Sequence, residues 1–576
     1  MLIRRLETPC LLVCTWATIG HNIIFMRVPI PPAPEVSSAP VTVTPSGSIR
    51  GTWLRTRRGR PFEAYRGIRY AAPPVGDLRF QPPQPISRYP GEVDATVDGP
   101  ACPQPTIGDY YVDEDCLRLN VYTPGKRSKP LPVVVFFHAG GFYSISGRSD
   151  VAGPDYLLDR DLVLVGVNYR LASLGFLTTG DRLSPGNNGF KDQVVALRWI
   201  KKNIAAFGGD PNMVTISGYS AGSFSVMLHQ VSPMSKGLFH RAISMSGSPV
   251  SQVHLPHHQK ELAVKQAELL DCPTDSSKSI LDCLKTKTSK ELGDSLYGFF
   301  QFAFDPTLMW VPIIEADYGQ ERFLVEHPLA SLREGRFHHV PCIISQTQDE
   351  FFWKAYTVLD NTTLTNQMDT NWTNIAPISF YLPAPSDTAA TTLRAHYLGS
   401  EGCHNNGRLV NDTETRKRLG RLYNDAIIGF GVHTLVNAMA VYSQQPVYYY
   451  EFAYTGNSSH YVDPETNKPT GVAHHDDLIY LFSINASFPL IAPSDSLDSR
   501  QVDWMTAMWY NFATTGDPNP TPATPGGPPV WPRFTHCARR YLRVDKKKSV
   551  RENLYEDRFQ VWEKLYSPKD CEYCTY

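Results

Sequence analysis

From Val133 to Phe137 and again from Leu162 to Val167, apolar residues follow one another with no polar interruption. Short β-branched runs of this kind predict strands buried on both faces. A third run, Met213 to Ser217, has the same texture, and Val340 to Ser345 reads as a fourth short strand. Between the second and third runs, Val194, Leu197, Ile200 and Ile204 recur at three- and four-residue steps, which predicts a helix over about 190–207 with one buried stripe. Ser223 to Gln230 also has helical spacing. Strands alternating with helices predict βαβ units, and hence an α/β fold with a large, mainly parallel central sheet flanked by helices.

A Pro- and Gly-rich stretch, Asp517 to Pro532, resembles a domain boundary, but only 44 residues follow it. That is too short for a second domain, so one large domain is expected. Neither a repeat of 20–50 residues nor a phosphate-cradling GxxxxGK[ST] or GxGxxG motif occurs. At the N-terminus, Arg4 and Arg5 precede the uncharged stretch Thr8 to Gly20, which reads as a secretory signal over 1–28. Residues 29–42 are rich in Pro, Ser and Thr and read as a spacer. The folded domain is then expected over 43–566, followed by a Cys-containing tail, 567–576.

Charge narrows the partners. With 55 basic and 56 acidic side chains among 576 residues, there is no positive surplus to hold nucleic acid or an anionic membrane. Beyond the N-terminus no segment approaches 18 uninterrupted apolar residues, so no membrane span is expected. Five sequons, at Asn361, Asn371, Asn411, Asn457 and Asn485, are candidate glycosylation sites and agree with a secreted, extracellular protein. Of eleven cysteines, Cys102 with Cys116 and Cys272 with Cys283 each close a short polar loop and read as disulfides; inert buried thiols are the competing reading. The pairing of Cys342, Cys403, Cys537, Cys571 and Cys574 is left open.

The sharpest chemical signal is Gly218-Tyr219-Ser220-Ala221-Gly222, the one Gly-x-Ser-x-Gly in the chain, lying between an expected strand and an expected helix. Small residues on both sides of the serine permit a tight turn that lifts its hydroxyl above the sheet. An acyl-transfer serine also needs donors for the oxygen that becomes charged. His138-Ala139-Gly140-Gly141-Phe142 follows the first strand, so the amides of Gly140 and Gly141, with that of Ala221, are the expected oxyanion hole. The expected order of nucleophile, acid and base puts the base on a later loop, where His474 beside His475 stands out; for the acid, Glu350 ends a polar loop after the strand Val340 to Ser345, with Asp349 as the near miss, and nothing local selects it. The run His474-His475-Asp476-Asp477 also allows a metal site, but adjacent residues rarely face one ion; no metal, nucleotide or redox cofactor is expected.

Together these pieces resemble the type-B carboxylesterase and cholinesterase family of the α/β-hydrolase fold, with a texture nearest its secreted insect carboxylesterases. The likeness runs from about Val43 to Tyr566 and rests on YRGIRYAAPPVGDLRF at 65–80, EDCLRLNVY at 114–122, HAGGF at 138–142, GYSAGS at 218–223, FATTGDPNP at 512–520 and WPRF at 531–534. The resemblance implies Ser220 as nucleophile, Glu350 as acid and His474 as base of a secreted serine carboxylic-ester hydrolase acting on a small ester. It also implies both disulfides. Several departures bear on the substrate. Tyr219 stands where many members carry Glu, and the loop from Cys102 to Cys116 holds Tyr110 and Tyr111 but no Trp. Both disfavour cationic choline esters. Ala139, Phe351 and His475 also depart from the family pattern and alter the expected pocket. The alternative from another class is a non-catalytic, cholinesterase-like adhesion or binding protein.

Overall fold

A computed structural model of the chain describes residues 38–566, apart from 106–109, 126–127, 254, 400–403 and 521–529. The expected signal segment, the tail, and Cys403, Cys571 and Cys574 lie outside the described residues. Among the described residues the first strand starts slightly ahead of the expected domain boundary. Val41–Thr44 already pairs antiparallel with Gly47–Arg50, inside the segment expected to end the spacer, and Val93–Asp94 completes this small sheet.

Among the described residues the second sheet has eleven strands. In chain order these are β1 (Thr52–Arg55), β2 (Pro61–Arg69), β3 (Arg118–Thr123), β4 (Leu131–Phe137), β5 (Val163–Val167), β6 (Gly209–Tyr219), β7 (Arg241–Met245), β8 (Cys342–Thr347), β9 (Val447–Phe452), β10 (Arg540–Val544) and β11 (Ser549–Glu552). Across the sheet they run β11-β10-β9-β8-β7-β6-β4-β5-β3-β2-β1. From β10 to β5 every pairing is parallel, whereas β11 at one edge and β3, β2 and β1 at the other are antiparallel. The expected parallel centre is therefore present, with mixed edges.

The uninterrupted apolar runs follow from this layering. All seven residues of β4 and all five of β5 are buried. Their side chains alternate between two cores, because successive residues of a strand point to opposite faces. Val133, Val135 and Phe137 join the core on one face, and Val134 and Phe136 the core on the other. Each such side chain, fully buried, contributes roughly 1.5–3 kcal/mol of transfer free energy.

Helix α1 (Asn188–Asn203) begins two residues before its expected start and tightens into a 3₁₀ turn over Ile204–Phe207. The four stripe residues are buried as expected, but so are Lys191 and Asp192. Charge pairing permits this: Arg170 meets Asp192 at 2.7 Å and Lys191 meets Glu315 at 2.6 Å. Helix α2 (Ala221–Val231) follows β6, and helix α3 (Leu497–Thr515) packs across the other face before the chain re-enters the sheet as β10. The Pro- and Gly-rich stretch after α3 thus links two parts of one domain.

Both expected disulfides are present, Cys102–Cys116 and Cys272–Cys283. Cys342 is a free thiol whose burial pushes its pKa up to about 12, so it is unreactive, while Cys537 is free and exposed. Among the described residues one helical stretch, Thr413–Tyr442, is long and apolar enough to cross a membrane, yet 78% of its apolar window is buried inside the protein. It is a core helix by its packing.

Candidate active site

Ser220 sits where β6 gives way to α2, with φ 55° and ψ −117°. A non-glycine residue in this region carries strain of order 1–3 kcal/mol, retained only where its surroundings impose it. Here they do. The Ser220 amide donates to the Met245 carbonyl at 2.8 Å, and its carbonyl accepts from Phe224 at 3.0 Å. The flanking glycines are steric necessities: a Cβ on Gly218 would lie 2.3 Å from the Gly222 carbonyl oxygen, and one on Gly222 would lie 2.0 Å from that of Phe137. Ala221 occupies the first position of α2, where an amide has no intrahelical acceptor.

The second glycine loop leaves β4 directly. Gly140 and Gly141 have φ of 106° and 58°, and the Gly140 carbonyl turns back to accept from Tyr143 and Ser144, each at 2.9 Å. A Cβ on Gly140 would meet the Ser144 carbonyl oxygen at 2.0 Å. Neither glycine amide donates to any acceptor among the described residues. They are free N–H groups of the kind an anion can use. His138 beside them is structural: it stacks on Tyr169 at 4.4 Å, and burial pushes it down to about 4, leaving it neutral.

Glu350 and His474, 124 residues apart, are in contact: the imidazole Nδ1 meets the carboxylate Oε2. The other carboxylate oxygen accepts the Thr347 amide at 2.7 Å, and the His474 amide donates to the Glu350 carbonyl at 2.8 Å. Asp349, the near miss, faces elsewhere. Its carboxylate accepts the Val472 amide at 3.1 Å and so anchors the loop that carries His474. Asp476 fixes the same loop from its other end, accepting from the Ala473 amide at 2.8 Å and the Ser459 hydroxyl at 2.7 Å. Rings close in on the base, with Phe351 at 4.3 Å, His475 at 4.4 Å and Tyr219 at 4.9 Å from the His474 ring centre.

Burial dominates the electrostatics. It pushes Glu350 up, against the pull of the Ser246 hydroxyl and the Thr347 amide, and drives His474 well below its ordinary value. The imidazole is thereby kept neutral, as a base must be. Among the described residues His474 Nε2 is buried and meets no hydrogen-bond partner, Ser220 Oγ included. So acid and base are joined, and Tyr219, the residue before Ser220, touches the base. The serine–histidine hydrogen bond is not formed.

Asp477 is a site residue that sequence reasoning missed as such. Fully buried, it accepts from the Tyr450 hydroxyl at 3.2 Å, and burial together with the neighbouring Glu350 carboxylate pushes its pKa well up. Its one sequence trace is the Asp-Asp pair that suggested a metal. Among the described residues no group of three or more His, Cys, Asp or Glu side chains is gathered to hold one. Tyr219 also has a defined part: its hydroxyl accepts the His475 amide at 2.8 Å. In the loop closed by Cys102 and Cys116, the Arg148 guanidinium lies 5.3 Å over the Tyr110 ring, and Tyr111 is turned to solvent.

The family model for carboxylesterases matches residues 38–562. The chain belongs to the carboxylesterase family. Among relatives of this carboxylesterase, juvenile hormone esterase of Tribolium castaneum is 36% identical over 507 residues, 84% of each chain. Esterase FE4 of Myzus persicae is 35% identical over 504 residues, covering 84% of this chain and 86% of that one. The crystal structure of juvenile hormone esterase from Manduca sexta, with OTFP covalently attached, matches with a TM-score of 0.79 at 27% identity, over 92% of this chain and all of the other. The fold is that of the α/β-hydrolases, and the carboxylesterase is a carboxylic ester hydrolase. The adhesion-only alternative gains nothing from these relatives.

Proposed function

We propose that the carboxylesterase works outside the cell on uncharged carboxyl esters, through an acyl-enzyme on Ser220. The contact of the His474 ring with the Glu350 carboxylate carries this reading, because it orients Nδ1 inward and leaves Nε2 as the free basic atom. In the reaction Nε2 takes the Ser220 proton as Oγ attacks the ester carbonyl. The tetrahedral oxyanion then accepts the amides of Gly140, Gly141 and Ala221. Collapse expels the alcohol, which receives the proton back from His474, and water removes the acyl group by the same steps. The remaining serine–histidine hydrogen bond is expected to form when substrate binds, since such bonds are commonly long before that.

Preference for uncharged esters is supported by Tyr219, which brings no carboxylate beside the serine, and by Tyr110, whose ring face is taken by Arg148. An extracellular setting is supported by the two disulfides and by relatives such as venom carboxylesterase-6 of Apis mellifera, 33% identical. All five sequon asparagines are exposed, as glycosylation requires.

The test is Ser220→Ala in the full chain. Turnover of p-nitrophenyl acetate should fall by about 10⁴-fold or more while the fold is kept; retained turnover overturns the assignment. Acetylthiocholine should be a far poorer substrate than p-nitrophenyl acetate for the unaltered enzyme, and juvenile hormone belongs in the same panel. Expressed in insect cells, the protein should enter the medium and lose mass on N-glycanase treatment.

A further inference from the structure

Leu497, Arg500, Gln501 and Trp504 follow the spacing that aligns side chains along one face of α3. Opposite this face is the turn between β10 and β11, which brings Lys546 and Lys548, and the two elements enclose a cavity of about 210 Å³. At about 30 Å³ per water it has room for roughly seven. It shares no residue with the catalytic cluster.

The polar groups around it are unbalanced in one direction. Lys548 Nζ donates to the neutral Gln501 Oε1 at 2.6 Å and lies 5.2 Å from the centre of the Trp504 ring. Among the described residues no carboxylate stands within ion-pair distance of Arg500, Lys546 or Lys548. Gln501 is only 1% exposed, and among the described residues its Nε2 has no acceptor. The chain as a whole carries a formal charge of −1, so these three cations are not part of a generally basic surface.

We propose that this cavity binds a tetrahedral oxyanion, phosphate or sulfate, either free or as the end group of a larger ester whose body lies along Trp504 and Leu497. The oxyanion would accept from Lys548, which the Gln501 Oε1 holds in place, with Arg500 and Lys546 closing the mouth. The state of Lys548 agrees. Burial pushes its ammonium down to about 8, Arg500 adds to the shift, and Asp545 opposes it. Gln501 and the Tyr454 hydroxyl, the other polar groups facing it, carry no charge near neutral pH. A bound anion would restore the ordinary pKa of Lys548, so binding near pH 8 should draw in a proton.

Calorimetric titration of the full-length protein with sodium sulfate, sodium phosphate and phenyl phosphate, at ionic strength fixed with chloride, tests this. Saturable binding is expected, weakened at least tenfold by Lys548→Met and by Gln501→Leu, with p-nitrophenyl acetate turnover unchanged in both variants. Sulfate binding at pH 8 should give heats that depend on the buffer's ionisation enthalpy, as proton uptake requires. Tighter binding of phenyl phosphate than of phosphate assigns the site to an esterified anion, and equal binding assigns it to the free ion. The exposed Arg500→Gln serves as a further variant should either buried one fail to fold. Absence of saturable binding, or equal affinity in the unaltered protein and the folded variants, overturns the proposal. Because turnover is read separately, either result leaves the Ser220 assignment untouched.

Discussion

Packed between Phe351, Tyr219 and His475, the His474 ring has little water to stabilise an imidazolium, and the imidazole of His460 adds repulsion between like charges. A base whose pKa is lowered stays neutral further into acid, and activity is lost only as pH falls through that lower value. The acid limb of kcat/KM, which reports the base of the free enzyme, should therefore lie clearly below the ordinary 6.5 of a histidine. Replacing His460 by Gln removes the repulsion and should move the limb upward, toward 6.5. A limb at or above 6.5 in the unaltered enzyme would contradict the role given to burial. Legibility differed from residue to residue. Ser220 and the Gly140 loop are visible because all of their requirements are local: small neighbours, a strand before and, for the serine, a helix after. Glu350 is not separable from Asp349 by its neighbours, since two adjacent loop carboxylates look alike until the fold sends one to the imidazole and the other to the Val472 amide. Asp477 was hidden further, because a His-His-Asp-Asp run reads as a possible metal site and only tertiary packing buries this carboxylate beside Glu350.

Among the elements, the central strands were the easiest to read, because a strand covered on both faces has no polar side to break the run. Edges were harder. β11 alternates little and is largely exposed, and Val41–Thr44 hid within a Pro-rich context. The apolar run Leu478–Phe482 opens as a 3₁₀ turn, Leu478–Tyr480, with all five residues buried, which its composition does not distinguish from a strand. The contact that matters most between elements is also invisible in sequence: Gly222 of α2 lies against the main chain at the end of β4, where a Cβ would sit 2.0 Å from the Phe137 carbonyl oxygen. The backbone just beyond Phe137 becomes the Gly140 loop, and the backbone just before Gly222 carries the Ala221 amide. One close approach thus sets the spacing between both groups of oxyanion donors. Gly222→Ala must push them apart. Beyond the roughly 1–3 kcal/mol of overpacking, it should lower kcat by about 10²–10³-fold, the usual loss when an oxyanion donor is misplaced. Kinetics beside denaturant unfolding would check this, and an unchanged kcat in a destabilised variant would show that the contact serves packing alone.

Across the whole molecule the two disulfides look equivalent in energy yet differ in what they touch. Their loops span 14 and 11 residues, for which chain entropy predicts a stabilisation of about 3 kcal/mol each. The Cys272–Cys283 bond joins the region after the helix Lys260–Glu268 to the helix Ser277–Thr286, and no catalytic segment hangs from it. The Cys102–Cys116 loop holds Gln104, whose Oε1 accepts the Ile145 amide at 2.8 Å and whose Nε2 donates to the Ile145 carbonyl at 3.0 Å. Ile145 ends the turn that begins at Gly140, so this side chain clamps the glycine loop against the disulfide loop. Removing each bond by paired Cys→Ser replacement should therefore destabilise both variants comparably in denaturant. Only Cys102→Ser with Cys116→Ser should also lower kcat, because the oxyanion donors would lose their fixed position while substrate binding changed less. If the two double variants lost kcat alike, or neither did, the clamp through Gln104 would have no part in positioning the donors, and both bonds would act on stability alone.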